Sequence, residues 1–165
     1  MAPAHAPTPD PLDARLLLAL DDEPDATVLG LSRKLGIARN TVHARLQRLT
    51  AADGPVRDFT RRVDPAGLGY PLTAFVSVAV SQSEGPAVIG RLQELPEVVQ
   101  IHLTTGEADL LVTVVARDTA DLLRVTTAML SVPGVMRTNS TMSLSEAMPL
   151  RVRPLLEQLA AGGPR

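Results

Sequence analysis

Apolar residues recur at helical intervals in the first part of the chain and then, from Leu72, at alternate positions, so a helical segment precedes a mixed one. Leu12, Leu16, Leu17 and Leu20 share one side of a helix that Asp10 can cap. Pro11 suits its first position, where a missing N–H costs nothing. The acidic, proline-containing run at 21–25 ends that helix. Thr27 is placed to cap a second one, with Leu31 and Leu35 on its buried side and Gly36 closing it. A third runs from about Ala38 to Ala52, with Val42, Leu46 and Leu49 as its apolar stripe. The following stretch, 54–64, suits a small β-wing with Val56, Phe59 and Val63 packing back.

Leu72, Ala74, Val76, Val78 and Val80 alternate along a half-buried strand, Leu72–Ser81. Gly85-Pro86 opens a helix carrying Val88, Ile89 and Leu92. Strands Val98–Thr105 and Asp109–Ala116 follow around a turn at Gly106, then a helix Thr119–Leu130 and a strand Val135–Ser145. The order is βαββαβ. Two corners echo each other, Leu95-Pro96-Glu97-Val98 and Val132-Pro133-Gly134-Val135, each running from a helix end through proline into a strand. Two βαβ halves with matching corners predict a ferredoxin-like sandwich, and the whole chain an α+β protein. Helices cover one face of such a sheet. Apolar residues on both faces of 110–115 predict that the other face packs on a second copy, making a homodimer. Residues 151–161 read as a short C-terminal helix, and 1–10, rich in Ala and Pro, as a disordered leader.

Composition narrows the chemistry. With 165 residues and 45% hydrophobic content, there is enough apolar material for real cores. Phe59, Phe75 and Tyr70 are the full set of aromatics, which leaves no stacking platform for single-stranded nucleic acid. The absence of cysteine excludes disulfides, thiol catalysis and cysteine-based zinc sites, and no metal or cofactor site is expected. The first ten residues lack the basic region and apolar run of a signal peptide, and no later stretch approaches the length of a membrane span, so a cytoplasmic protein without membrane contact is expected. The net charge is −2, yet from Arg33 to Arg62 eight basic residues face two acidic ones. A local charge of +6 fused to an acidic remainder suggests a polyanion-binding module joined to a different one.

The third helix gives that charge a purpose. Opposite its apolar stripe lie Asn40, His43, Ala44 and Gln47, flanked by Arg39, Thr41, Arg45 and Arg48. Amide side chains can pair bidentately with adenine, and a small residue allows close approach or meets a thymine methyl. Arginines and hydroxyls hold phosphates. Helix, turn and polar-faced third helix form a helix-turn-helix for double-stranded DNA, with Arg57, Arg61 and Arg62 of the wing near the backbone. The plain alternative is a three-helix bundle whose polar face meets only water.

These blocks resemble the Lrp/AsnC, or feast/famine, family over about positions 11–155. The resemblance rests on LDARLLLAL, LSRKLGIARNTVHARLQRL, the hinge RRVDPAGLGY, then HLTTGEADLLV, LSVPGV and TNSTMSL, in that order. It implies a winged helix-turn-helix over 11–63, a hinge over 64–71, and a βαββαβ (RAM-type) domain over 72–150 that binds an effector and dimerises. The family's dimers are often built into octamers, and its effectors are amino acids or related small molecules. Carried over by position, the effector residues are Thr105, Gly106, Glu107, Asp109, Thr138 and Ser140. Asp109 can receive an ammonium; hydroxyls and loop N–H groups can receive a carboxylate. There are departures. Ala38 replaces the usual serine cap, Gly30 a helix former, and Ser140 a common threonine. The plainer reading of the loop is a tight turn needing only glycine and aspartate.

Two other functions fit this architecture. A decarboxylase of haem biosynthesis would use His102 as acid/base and Arg137 as a carboxylate clamp. A DNA-architectural protein would lack only the ligand.

Overall fold

The computed structural model describes residues 9–51, 54–56, 63–81 and 84–162. The chain divides into two compact units, Met1–Arg61 with Met148–Arg165, and Arg62–Ala147. Among the described residues no helix is long and apolar enough to cross a membrane.

The first unit holds α1 (Pro11–Asp22), α2 (Val28–Leu35) and α3 (Arg39–Leu49). Asp10 and Asp13 form a reciprocal capping box at the start of α1: the Asp13 N–H donates to Asp10 (2.8 Å) and the Asp10 N–H to Asp13 (2.9 Å). Thr27 caps α2 by accepting from the Gly30 N–H at 3.1 Å. Gly36 closes it in the left-handed region at φ 67°. Ala38 stands at the N-cap of α3 with no side-chain bond, as its chemistry requires. Leu16, Ala19, Leu31, Val42 and Leu49 are buried together, with Leu35, Leu46 and Val56 against them.

α3 stops three residues earlier than the periodicity predicts. The Thr50 hydroxyl takes the Leu46 carbonyl (2.8 Å), and the chain folds back so that the Val56 N–H reaches the Leu49 carbonyl (3.1 Å). Val56 packs back as expected; Val63 is exposed and does not. The expected wing residues Arg57, Phe59, Arg61 and Arg62 lie outside the described residues, as do residues 1–8 of the expected leader.

The second unit contains β1 (Leu72–Val80), α4 (Gly85–Gln93), β2 (Val98–Leu103), β3 (Leu110–Ala116), α5 (Thr119–Leu130) and β4 (Val135–Met142). The sheet order is β2-β3-β1-β4 and every pairing is antiparallel, the arrangement a ferredoxin-like βαββαβ chain must give. Val76, Val78, Leu110, Val112 and Val114 turn to one side and meet Val88 and Leu92 of α4 and Val125 and Met129 of α5.

The two echoing corners carry identical hydrogen bonds. Val98 N–H donates to Leu95 (3.0 Å) and Val135 N–H to Val132 (3.0 Å), so each proline corner launches its strand in the same way.

The other side of the sheet is more mixed than an apolar dimer face. By register it carries Phe75, Ser77, Leu111, Thr113, Gln100, His102, Arg137 and Asn139, with Phe75 42% exposed. The last helix, α6 (Arg153–Ala160), belongs to the first unit and packs on α1, where Arg153 bridges Asp21 (2.7 Å) and Asp22 (2.9 Å).

Candidate nucleic-acid interface and effector loop

α3 is sorted by its own periodicity. Val42 and Leu49 are buried in the helical core, which turns Arg39, Asn40, Thr41, His43, Ala44, Gln47 and Arg48 outward, all exposed. Among the described residues, none of the Asn40, His43 or Gln47 side chains has a hydrogen-bond partner within the protein. Their donors and acceptors are open to an incoming ligand. An amide with both groups free can meet an adenine edge without breaking an internal bond.

Arg45 differs from the sequence-based expectation of a free phosphate cation. Its side chain is only 23% exposed, and its Nη1 donates to Asp10 Oδ1 and Oδ2 (2.8 and 2.7 Å) and to Asp13 Oδ1 (2.7 Å). Arg48, one turn on, donates to Asp13 Oδ2. The Asp13 side chain is completely buried, and this pair of arginines is what allows a carboxylate to sit there. The Arg45 side chain also holds the Asp10 carboxyl below its ordinary value, and Asp10 with Asp13 raises that of the Arg45 guanidinium. Arg45 is therefore first an internal ion-pair partner. No spacing along either helix signals this pairing, which joins Asp10 and Asp13 to Arg45 and Arg48 across 32 to 35 positions.

The loop between β2 and β3 is tied to the sheet by its ends. Thr104 donates through its N–H to the Asp109 carbonyl (2.9 Å) and through its hydroxyl to the Ala108 carbonyl (2.8 Å). Asp109 donates its N–H to the Val78 carbonyl (3.0 Å), and its Oδ2 accepts from the Val80 N–H (2.8 Å). This carboxylate thus extends the end of β1, a structural duty the sequence did not announce. Gly106 has φ 112°, a backbone that favours glycine, and open space where a Cβ would point. Thr105, Gly106 and Glu107 are exposed.

On β4, Thr138 pairs with Val78 and Ser140 with Val76. Directly opposed residues share a face, so both hydroxyls register with the helix-covered side, and Arg137 and Asn139 with the open side. The loop and Thr138 therefore come to the same end of the sheet from either side of β1, while Ser140 lies one pleat repeat further along.

His102 and Arg137 sit on β2 and β4, at opposite edges. Three strand spacings, about 14 Å, separate them, too far for one small substrate held by both within a chain.

Comparison with known proteins adds to this geometry. Residues 9–53 match a winged helix-turn-helix DNA-binding family, and residues 73–152 match the Lrp/AsnC ligand binding domain. The HTH-type transcriptional regulator FL11 of Pyrococcus horikoshii is 30% identical over 135 residues, spanning 82% of this chain and 89% of that protein. The regulator AldR of Mycolicibacterium smegmatis is 36% identical over 116 residues, 68% of this chain and 67% of its own. Among solved structures, Escherichia coli AsnC shares the fold, with a TM-score of 0.78 at 22% identity over 90% of this chain and 100% of that one. A transcriptional regulator of Neisseria meningitidis, solved as its L-Met complex, gives a TM-score of 0.75 at 25% identity over 90% of this chain and 99% of that one.

Proposed function

The chain belongs to the Lrp/AsnC family of transcriptional regulators, and from that premise we propose that α3 reads operator bases while the β2–β3 loop takes up an amino acid. Asn40 and Gln47 read base edges, with His43 beside them and Ala44 allowing close approach to the groove floor. Arg39, Thr41 and Arg48, with Arg61 and Arg62 further along, hold phosphates; Arg45 contributes as far as its acidic partners release it. The observation that carries this reading is the exposed, internally unpartnered face Asn40–His43–Gln47 on a helix whose other face is buried.

The effector is an amino acid. Its support is the Neisseria relative solved with L-Met, together with the open backbone at Gly106. Thr105, Gly106 and Glu107 offer loop groups to the carboxylate, and Thr138 and Ser140 offer hydroxyls. Asp109 receives the ammonium on the lone pairs left after its bond to the Val80 N–H. The open side of the sheet, where Phe75 lies 42% exposed among polar neighbours, is the contact of a homodimer.

Gln47→Ala tests the reading. It is expected to cost about 1–3 kcal/mol at the cognate site and leave binding to random duplex unchanged. Equal losses on both DNAs, measured by fluorescence anisotropy at one fixed salt, would remove Gln47 from base recognition.

A further inference from the structure

The positive charge of α3 is partly spent inside the protein. Asp10, Asp13, Arg45 and Arg48 form one hydrogen-bonded cluster whose formal charges sum to zero, at the edge of the face that meets DNA. Both arginines of the cluster also line an exposed hollow on α3, together with Asn40, Thr41 and Ala44. Upstream of Arg33, six acidic residues stand against Arg15 alone, so the helical part of the chain is far less basic than 33–62 taken by itself.

The two acids are not equivalent. Asp13 is completely buried, holds both arginines, and is fixed by the Asp10 N–H. Asp10 is 41% exposed and holds Arg45 alone. A phosphate approaching Arg45 meets a position already filled by the Asp10 carboxylate, which presents two oxygens to Nη1 much as a phosphate would.

We propose that Asp10 is an internal competitor for phosphate at Arg45, anchored through Asp13, and that it holds down indiscriminate DNA binding so that base contacts on α3 decide affinity. Asp13 is then a positioning residue: it sets Arg45 and Arg48 one turn apart against α1, and with them the rotation of the face bearing Asn40 and Gln47. This rests on the DNA-binding reading and deepens it.

The test uses the full chain and a random-sequence 30-base-pair duplex, with affinity measured from about 50 to 300 mM KCl. Asp10→Asn and Asp10→Ser both keep an N-cap, so α1 retains its start. Each is expected to bind random duplex about three- to tenfold tighter at low salt, with a slope of log K against log salt steeper by about 0.9, one additional counterion. Asp21→Asn is the control. It makes the same charge change at the other end of α1, about 16 Å along the axis, and is expected to leave the slope unchanged. A merely structural role for Asp10 would lower thermal stability and weaken all binding without steepening the slope, and that result overturns the proposal. An equal effect from Asp21→Asn overturns it too, because the cause would be net charge. A wild-type chain that binds no duplex would bring down the DNA-binding reading itself, which sets that failure apart from the others.

Discussion

Gly134 and Gly106 both hold a positive φ, but they differ in what surrounds them. At Gly134, φ is 94°, and an added Cβ would run into the Glu84 carboxylate oxygen and lie 2.8 Å from Val88 Cγ2. The carboxylate can swing aside, whereas Val88 is fully buried and cannot. Gly134→Ala is therefore expected to destabilise the second unit by about 2–4 kcal/mol, combining left-handed strain with overpacking, as read from urea unfolding. A change below half a kcal/mol, on the order of the surface background, would contradict that. Asp121 gives a pH signature in the same unit. Its carboxylate accepts from the Arg117 side chain (3.2 Å), the Arg117 N–H (3.1 Å) and Arg124 Nε (2.9 Å), which hold its carboxyl well below the ordinary 3.8. A depressed folded-state value stabilises the fold above the ordinary one and loses that contribution as pH falls from about 4 toward the folded value. Urea midpoints should drop over that range, and Asp121→Asn should flatten the drop; an unchanged profile in the variant would assign the acid sensitivity elsewhere. The alternating strand residues and helix stripes were legible from spacing alone. Buried Asp13 was not, because an acid in the first turn of a helix ordinarily faces water, and its burial depends on arginines 32 and 35 positions away.

At the scale of elements, most boundaries follow from local chemistry that the sequence displays. Asp10, Thr27 and Gly36 cap and close helices where their side chains or backbone freedom predict. The end of α3 is not legible in its periodicity, because the turn that stops the helix depends on Val56 folding back onto the Leu49 carbonyl. Ala38 leaves the start of α3 uncapped with its backbone extended at ψ 141°. Ala38→Ser should raise stability by about 0.5–1 kcal/mol, seen as a higher Tm of the helical unit. A lower Tm would mean that the extended cap geometry does not persist. Strand order explains why the effector positions were only partly readable. Motif order brings loop 105–109 and Thr138 to one end of the sheet, yet facing depends on register across β1, which no spacing along one strand specifies.

At the scale of the whole molecule, the chain returns at its C-terminal end to the unit it began with. Sequence order alone would leave α6 beside the βαββαβ domain; its place on α1 rests on contacts such as Arg153 to Asp21 and Asp22. Charge is organised at the same scale. The basic segment 33–62 marks the DNA-binding part, and acids earlier in the chain temper it. The two units serve one proposed function: specific binding to DNA through α3, altered by an amino acid at the loop of the second unit. The most direct measurement is fluorescence anisotropy of the full chain on duplex from its own upstream region, with excess random competitor at fixed salt, repeated with each amino acid in turn. Competitor-resistant binding whose affinity shifts with one amino acid, methionine included, is the predicted result. Binding that competitor removes, with no amino acid changing it, would contradict the account.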